Sequence, residues 1–228
     1  MKKLVVLTGA GISAESGIQT FRGAGGLWEG YDIKDVASPE GWAADPELVL
    51  DFYNQRRKNV MDALPNEAHK LLAELETKFD VEIVTQNIDD LHERGGSSNI
   101  IHLHGEILKS RSSADESLVF EMTTDTISLG DLCPLRSQLR PHIVWFGEAV
   151  PMIEQATEVV SGADVLLVIG TSMEVYPAAG LVQFAPADCP IYLIDPDPSH
   201  NAGSGFKHIV AGAHSGIETW LSEYQGEN

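Results

Sequence analysis

The sequence predicts an α/β fold, in which a Rossmann-like, mostly parallel sheet has helices on both faces and carries a small inserted module. Short apolar runs alternate with longer segments of helical pattern, and this alternation is typical of βαβ units. Most of the runs are rich in Val, Ile and Leu and end abruptly at a glycine or a polar residue, as buried parallel strands do. A length of 228 residues suits one such domain with an insertion.

The same patterns place the regular elements. The expected strands are 4–8, 81–85, 100–103, 164–169 and 191–194. The expected helices are 46–63, 67–79 and 215–224. Residues 18–41 are rich in glycine and aromatic side chains and predict a ligand-covering loop with short helical turns. Residues 109–139 mix serine, threonine and acidic residues with scattered apolar ones, and they predict a module inserted before an extended segment at 141–146.

Charge and composition limit the classes of function. The chain has 15 basic and 34 acidic residues and a net charge of −19, so it repels phosphate backbones and no nucleic-acid partner is expected. Basic polypeptide segments such as lysine-bearing tails are the macromolecular partners that this charge favours. The first apolar run is too short for a signal peptide, and no run approaches the ~20 residues of a membrane span. Because Cys133 and Cys189 are the only cysteines, no disulfide framework is expected either, and we expect a cytoplasmic protein without membrane attachment.

Polar side chains follow two neighbouring strands at the point where each strand ends. Gln86, Asn87 and Asp89 follow one strand, and His104 follows the next. Ligands of open α/β sheets bind outside the carboxyl ends of the strands, so these side chains should converge on a bound ligand. Two plainer interpretations stay open. Asn and Asp are common turn formers and helix caps, and His104 could be a buried histidine bonded to a carbonyl group.

A glycine-rich turn follows the first strand. Residues 9–14, with the sequence GAGISA, fit the pattern G-x-G-x-x-G/A, whose glycines let the backbone approach a pyrophosphate. An ordinary dinucleotide fingerprint also needs an acidic residue after a second strand about 20 residues on, and the window 21–28 is instead loop-like. An ordinary dehydrogenase is therefore a poor fit. Arg22 in that window suits the neutralisation of phosphate, and Phe21 suits the covering of a flat ring.

Six short motifs occur together over nearly the whole chain. They are GAGIS at 9–13, GIQTFR at 17–22, TQNID at 85–89, HG at 104–105, WFGE at 145–148 and GTS at 170–172. In this order they resemble the motif series of the sirtuin family. The resemblance implies an NAD-dependent protein-lysine deacylase that transfers an acyl group to ADP-ribose and releases nicotinamide. Its partners would be acylated lysine peptides or proteins.

The resemblance also implies how the chain is organised. Residues 1–228 would form a single catalytic unit. Its Rossmann-like NAD-binding domain would comprise 1–35, 80–108 and 140–228. Its small module would comprise a helical segment, 36–79, and the segment 109–139, where the family carries a structural zinc.

Roles for individual residues follow from the matching motifs. His104 would be the general base, since a neutral imidazole suits proton removal at physiological pH. Asn87 and Asp89 would complete the catalytic set by holding the nicotinamide and ribose ends of NAD. The NAD-binding residues would be Gly9, Ala10, Gly11, Ser13, Glu15, Thr20, Phe21, Arg22, Trp28, Gln86, Asn87, Ile88, Asp89, Gly170, Thr171, Ser172, Asp195 and Ala213. At Asp195 the family usually has asparagine, but a carboxylate can also accept hydrogen bonds from ribose hydroxyls.

Two further groups of residues concern the acylated peptide. The motif at 145–148 would offer an extended edge to which the peptide adds as a strand, through Val144, Phe146, Gly147 and Glu148. Ala37, Tyr53 and Arg56 resemble the class of sirtuins that removes acidic acyl groups such as succinyl and malonyl. Tyr53 and Arg56 lie three apart on a predicted helix and face the same way, so that they could clamp a carboxylate. The plainer alternative is a solvated basic run at 56–58, and acetyl remains a possible substrate.

The zinc ligands of the family are missing from this chain. Sirtuins normally carry two cysteine pairs between the catalytic histidine and the Trp-Phe-Gly-Glu motif, whereas this interval contains only Cys133, with Ser112 and Ser113 where the first pair would be. A structural zinc site needs four thiolate or imidazole ligands, so no metal is expected. A small apolar core is expected to order the insert instead. Its members would be Leu118, Val119, Phe120, Ile127, Leu129 and Leu132.

Two other functions are compatible with the same NAD residues. An NAD glycohydrolase or ADP-ribosyltransferase would need neither Tyr53 nor Arg56. A non-catalytic NAD-sensing module would explain the departures from the family pattern as loss of function, but it would not explain why His104, Asn87 and Asp89 are all present.

Overall fold

The computed structural model describes residues 1–20, 27–28, 30–199 and 205–227. The strands are β1 (Lys3–Thr8), β2 (Leu27–Trp28), β3 (Tyr31–Asp32), β4 (Asp80–Thr85), β5 (Ile100–His102), β6 (Gly105–Ser112), β7 (Val119–Glu121), β8 (Leu139–Ile143), β9 (Val165–Ile169), β10 (Ile191–Ile194) and β11 (Phe206–Ile209). The α-helices are α1 (Ile33–Val36), α2 (Pro39–Ala44), α3 (Pro46–Asp62), α4 (Glu67–Leu75), α5 (Leu91–Gly95), α6 (Ile153–Ser161) and α7 (Ala213–Glu227). Two 3₁₀ helices span Ala10–Ser16 and Ala178–Phe184.

A six-stranded parallel sheet forms the centre of the molecule, in the order β11-β10-β9-β1-β4-β5. The chain builds from β1 outward to β4 and β5, then returns to the other side of β1 to add β9, β10 and β11. The order therefore reverses at β1, whose last residue, Thr8, pairs with Thr85 on one side and Ile169 on the other. This reversal is the position at which open α/β sheets bind ligands.

Side chains of β1 alternate between two apolar cores, one on each face of the sheet. Leu4 and Val6 belong to the core that α4 and α7 cover, where Trp220 is fully buried. Val5 and Leu7 belong to the opposite core, which α6 covers. The predicted fold class is thereby confirmed, since the sheet is parallel and has helices on both faces.

Most of the predicted elements are present, with shifted ends. Helix α3 matches the predicted 46–63, whereas α4 ends at Leu75 because the chain continues as tight turns to Phe79. Several elements escaped prediction, α6 and β11 among them. Helix α6 was not recognised, and β11 is a sheet edge whose residues are mostly half-exposed, so it forms no apolar run.

A second, antiparallel sheet in the order β7-β6-β8 forms the core of the insert. It is longer than the predicted 109–139, because β6 begins at Gly105, directly after His104. Gly105 has φ +82°, and a Cβ atom there would overlap the carbonyl oxygen of His142 on β8. Glycine thus lets the small sheet start beside the candidate base. The proposed division of the chain into two domains stays a prediction.

The prediction that an apolar core orders the insert is wrong. Val119, Leu129 and Leu132 are exposed, and of the six predicted members only Ile127 is fully buried. A segment this short, with polar residues between its apolar ones, presents too little continuous apolar surface to close a core.

Polar side chains of α3 hold the insert instead. Asn54 exchanges two hydrogen bonds of 2.9 Å with the backbone of Ile127. Arg57 is fully buried, and its guanidinium donates to the carbonyl oxygens of Ile107 (2.7 Å) and Asp125 (3.2 Å). These bonds, with one from Nη1 to the side-chain oxygen of Asn54 (2.8 Å), replace part of the hydration that the guanidinium loses on burial.

Among the described residues, no helix has both the length and the apolar character that a membrane span requires.

Two buried histidines join the helices to the centre of the sheet. His69 on α4 and His92 on α5 are fully buried, with ring centroids 5.0 Å apart, and Nε2 of His92 lies 3.0 Å from the hydroxyl of Thr8. Burial lowers the pKa of His69 from 6.5 to about 4 and holds the pKa of His92 well below its usual value. Both rings are therefore neutral in the folded protein.

We expect acid to destabilise the fold through these histidines. An unfolded His69 takes up a proton near pH 6.5, whereas the folded one does so only near pH 4, so the free energy of unfolding falls as the pH drops between those values. His69→Gln keeps an acceptor for the capping box of α4 but does not titrate. In urea unfolding, the free energy of unfolding of His69→Gln should fall by about 3 kcal/mol less than that of the wild type between neutral and acidic pH. His214→Gln, at a half-exposed histidine, is the control. Equal pH slopes for His69→Gln and wild type would contradict the expectation.

Candidate active site

The predicted site residues gather at the carboxyl ends of β1, β4, β5 and β9, on both sides of the reversal point. Two turns meet there in close backbone contact. The amide of Gly9 donates to Ile169 (3.0 Å) and the amide of Gly11 donates to Gly170 (2.8 Å). A Cβ atom on Gly11 would lie 2.6 Å from the Cα of Gly170, so the two turns could not pack this closely with larger residues. Glycine is thus needed for the approach of one turn to the other.

Ser13, Asn87 and Asp89 form a buried hydrogen-bonded group. The hydroxyl of Ser13 donates to Asp89 (3.2 Å) and accepts from the amide nitrogen of Asn87 (3.2 Å). Burial raises the pKa of the Asp89 carboxyl group, against the lowering effect of its bonds from Leu91 and Ser13. The turn-forming interpretation of Asp89 is also partly correct, because its other oxygen accepts from the backbone amide of Leu91.

His104 lies beside this group with one nitrogen engaged. Its Nδ1 lies 3.0 Å from the carbonyl oxygen of Gln86. Because a carbonyl can only accept, Nδ1 carries the proton in the neutral ring and Nε2 is left with the lone pair. Burial lowers the pKa of His104, so the ring is neutral at physiological pH. His104 can therefore bond to a carbonyl group through Nδ1 and still act as a base through Nε2.

The remaining predicted NAD residues surround this centre in different ways. Gln86 donates to the hydroxyl of Thr171 (3.1 Å), which joins the loops after β4 and β9. Asp195 is buried at the end of β10 and accepts from the amide of Asp197, and Ala213 begins α7. Glu15 is exposed. The other described members are Ala10 and Thr20 after β1, Trp28 in β2, Ile88 after β4 and Ser172 after β9. Phe21 and Arg22 lie outside the described residues.

Residues predicted for the acyl group are brought together by α3. Tyr53 is fully buried and its hydroxyl accepts from Nε1 of Trp145 (3.1 Å). The guanidinium of Arg56 lies 4.2 Å from the ring centroid of Trp28. Burial raises the pKa of Tyr53, so its hydroxyl keeps its proton and can donate it. The alternative of a solvated basic run at 56–58 is wrong, because Arg56 and Arg57 are both buried.

The predicted peptide edge is a strand end followed by a turn. Val144 donates to the carbonyl of His104 (2.9 Å) and Phe146 donates to the carbonyl of Ala37 (3.0 Å), so the segment is fixed on both sides. Gly147 has φ +90° and turns the chain. The extended conformation predicted for 141–146 therefore stops at Ile143 as a regular strand.

The side chain of Glu148 holds this turn through hydrogen bonds to its carboxylate. Its carboxylate accepts from the backbone amide of Trp145 (2.8 Å), from Arg140 (2.7 Å) and from Arg111 (3.0 Å). The guanidinium of Arg140 also stacks on the ring of Trp145, 3.2 Å from its centroid. Sequence reasoning missed both arginines, although a carboxylate inside an apolar motif indicates that a cation lies nearby.

Comparison with known proteins identifies the family. A family model described as the Sir2 family matches residues 9–177. The chain belongs to the Sir2 family. A protein from Helicobacter pylori named NAD-dependent protein deacylase is 60% identical over 196 residues, which cover 86% of this chain and 85% of that protein. One of the same name from Bacteroides thetaiotaomicron is 53% identical over 224 residues, with 96% of each chain covered.

Solved Sir2 structures share the fold of this chain. A crystal structure of a Sir2 homologue–NAD complex superimposes with a TM-score of 0.87 at 40% identity and covers 99% of this chain and 90% of its own. A Sir2–p53 peptide–NAD⁺ structure has a TM-score of 0.79 at 29% identity and covers 99% of this chain and 94% of its own. The resemblance seen in the six motifs is confirmed.

In this Sir2-family chain, Cys133 forms a polar cluster with two serines of the insert. The thiol of Cys133 lies 3.3 Å from the hydroxyl of Ser112 and 3.1 Å from that of Ser137, and the two hydroxyls are 2.8 Å apart. These hydroxyl groups, first of all Ser112, lower the pKa of Cys133 to about 7. Within the described part of the chain, no group of three or more His, Cys, Asp or Glu side chains is placed to hold a metal ion.

We expect the purified protein to contain no stoichiometric zinc. One thiol and two hydroxyls do not provide the four thiolate or imidazole ligands of a structural zinc site. Prolonged treatment with a strong chelator should leave the melting temperature and the deacylase rate unchanged, and elemental analysis should find well under one zinc per chain. Ser112→Ala should lower the melting temperature, because it removes a buried bond to Cys133 worth about 1 kcal/mol. A chelator-induced fall in melting temperature would show that a metal orders the insert after all.

Proposed function

We propose that this NAD-dependent protein deacylase removes acidic acyl groups, succinyl and malonyl among them, from lysine side chains. The observation that carries the proposal is the placement of Tyr53 and Arg56 side by side on α3, both buried and both beside tryptophans of the site. A guanidinium presents a planar fork of donors that matches a carboxylate, and a protonated phenol adds one more donor. Ala37 is buried in the same apolar cluster as Tyr53 and contributes only a methyl group, which would leave space for a longer acyl chain.

The residues at the reversal point fit NAD. Hydroxyl, amide and carboxylate groups converge there on the turns after β1, β4 and β9, and they offer the hydrogen-bond donors and acceptors that ribose, carboxamide and phosphate groups need. We assign Asn87 and Asp89 to the nicotinamide and ribose ends of NAD, and Ser13, which bonds to both side chains, to phosphate and ribose. Thr171 and Ser172 would hold phosphate and ribose, Gln86 would hold ribose, and Asp195 would accept from the adenosine ribose. When bound, NAD supplies the glycosidic bond that breaks as nicotinamide leaves and the ribose that receives the acyl group.

Residues of the chain would contribute a general base, hydrogen-bond donors for the acyl group and a backbone segment that positions the peptide. The neutral ring of His104, held by the Gln86 carbonyl, would accept a proton at Nε2 from a ribose hydroxyl. Tyr53 and Arg56 would hold the far end of the acyl chain, so that its amide lies near His104. The backbone of Val144–Gly147, fixed by Glu148, would position the peptide on either side of the acylated lysine.

Acylated lysines in peptides or proteins are the partners that fit this site, and one similar Sir2 structure contains a p53 peptide. That nucleic acid and membranes are not partners stays a prediction from the sequence, as does a cytoplasmic location.

His104 provides the test of the chemistry. Wild-type protein should release nicotinamide from NAD rapidly only when succinylated peptide is present, whereas an NAD glycohydrolase would release it without peptide. His104→Ala should lower the deacylation rate by about 10²–10⁴-fold. The wild-type rate should be full while His104 is neutral and fall as the pH drops through a value below 6.5, because only the neutral ring can accept the proton. Unchanged turnover in His104→Ala would contradict the role of His104 as the base, whereas a wild-type protein that binds NAD without any turnover would favour a non-catalytic NAD sensor.

Arg56 provides the test of acyl specificity. Arg56→Met removes the donors to a carboxylate but keeps most of the stem, so kcat/KM for succinyl- and malonyl-lysine peptides should fall about 10–100-fold. The value for an acetyl-lysine peptide should stay within about threefold, since acetyl has no carboxylate to lose. Lys58→Met, two residues away on the exposed face of α3, is the matched control and should leave all three values unchanged. Equal losses for acetyl and succinyl peptides in Arg56→Met would contradict the carboxylate clamp.

A further inference from the structure

His102 makes two polar contacts on opposite sides of its ring. Its Nδ1 lies 3.1 Å from the carbonyl oxygen of Asn87, and its Nε2 lies 2.7 Å from a carboxylate oxygen of Glu93 on α5. The side chain of His102 is 10% exposed, whereas that of Glu93 is 41% exposed. His102 is the last residue of β5 and His104 lies in the turn that follows, and both rings contact carbonyl groups of the loop after β4.

The loop after β4 is held at three consecutive carbonyl groups. His104 contacts the carbonyl of Gln86, His102 contacts that of Asn87, and the backbone amide of Ile107 donates to that of Ile88 (2.8 Å). Two of these three contacts come from histidines, but their electrostatic settings differ. His104 meets a carbonyl group alone, whereas His102 is placed between a carbonyl and a carboxylate.

Both partners of His102 are acceptors, so only the imidazolium ring can donate to both. Burial disfavours the charged ring, but the bond to Glu93 outweighs it and raises the pKa of His102 above 6.5. The other ionisable groups that face it are Glu106 on β6, Asp89 in the same loop and the buried His92 on α5. Glu93 in turn has a lowered pKa, because it bonds to His102.

We propose that His102 and Glu93 form a positioning pair, which holds the backbone of Asn87 and thereby sets how well the nicotinamide end of NAD is bound. The pair touches neither substrate nor reacting atoms. It acts through the carbonyl of Asn87, whose side-chain amide belongs to the group formed with Ser13 and Asp89. The inference rests on the proposed function, in which Asn87 and Asp89 hold that end of NAD.

A dependence on pH follows from the pair. Because His102 has a raised pKa, the full pair is present at and below pH 6.5, as long as Glu93 stays ionised, and it is lost as the pH rises through the raised value. NAD binding should therefore weaken on the alkaline side. This effect is opposite in direction to that of His104, whose protonation impairs catalysis on the acid side.

Glu93→Gln is the variant that tests the pair. The amide can still accept a hydrogen bond but carries no charge, so the pKa of His102 should fall towards its ordinary value. We expect kcat/KM for NAD to drop about three- to tenfold near neutral pH, and its alkaline decline to begin at lower pH than in the wild type. The KM for the peptide and kcat at saturating NAD should stay unchanged. His102→Gln, which keeps a donor but cannot titrate, should lose the alkaline decline altogether.

A matched control and a separate arm make the outcomes distinct. Glu218→Gln alters another Glu–His pair, with His214 at 3.8 Å on the exposed side of α7, and should overlay the wild-type profile.

Asn87→Ala tests the proposed function itself and should abolish nicotinamide release. If Asn87→Ala is inactive while the NAD profiles of Glu93→Gln and His102→Gln overlay the wild type, the positioning pair is refuted and the proposed site stands. If Asn87→Ala turns over NAD normally, the proposed site is refuted and the inference with it. A lower melting temperature in Glu93→Gln with an unshifted pH profile would show a merely structural role and would also overturn the proposal.

Discussion

The backbone contact between Gly11 and Gly170 is the constraint on which the site depends. The turns after β1 and β9 can meet only because neither residue has a Cβ atom, and their meeting places the 3₁₀ helix Ala10–Ser16 across the ends of the strands. Ser13 then reaches Asn87 and Asp89 from one side, and Thr171 reaches Gln86 from the other. The loops after β1, β4 and β9, which are far apart in sequence, are joined in this way into one polar site. The glycine pattern, which alone is a weak indication of a nucleotide site, here has a packing role that is independent of any ligand.

Helix α3 links acyl recognition to the order of the insert. Successive positions on a helix point about 100° apart, so Tyr53 and Arg56 face the tryptophans of the site while Asn54 and Arg57 face the insert. The insert in turn supplies Arg111 and Arg140, which hold Glu148 and with it the turn at the peptide edge. A family member without the zinc cysteines thus fixes its insert through carbonyl–guanidinium contacts and the cluster of Cys133 with two serines.

Sequence patterns predicted the features that depend on neighbouring residues in the chain. They missed the features that depend on contacts between distant segments. The parallel strands and the polar ends of β4 and β5 could be predicted, because apolar periodicity and motif order are local properties. The apolar core assigned to Val119, Leu129 and Leu132 was wrong, since hydropathy alone does not show whether a short segment finds a surface to cover. The roles of Arg57, Arg140 and His102 depend on carbonyl and carboxylate partners from other elements. No spacing within the chain indicates those partners.

The distribution of charge gives the proposed specificity a physical basis. The chain as a whole carries −19, yet four arginines are buried around the insert and α3, namely Arg56, Arg57, Arg111 and Arg140. Arg111 and Arg140 share the single carboxylate of Glu148, so two guanidinium groups face one carboxylate there, and Arg57 donates to two backbone carbonyl groups. Charges act over longer distances in such an interior than at a solvated surface. An acidic surface favours the approach of a lysine-bearing segment, whereas the cationic interior favours a carboxylate at the end of the acyl chain. A lysine that carries a neutral acetyl group satisfies only the first of these preferences, and a succinyl- or malonyl-lysine within a basic segment satisfies both.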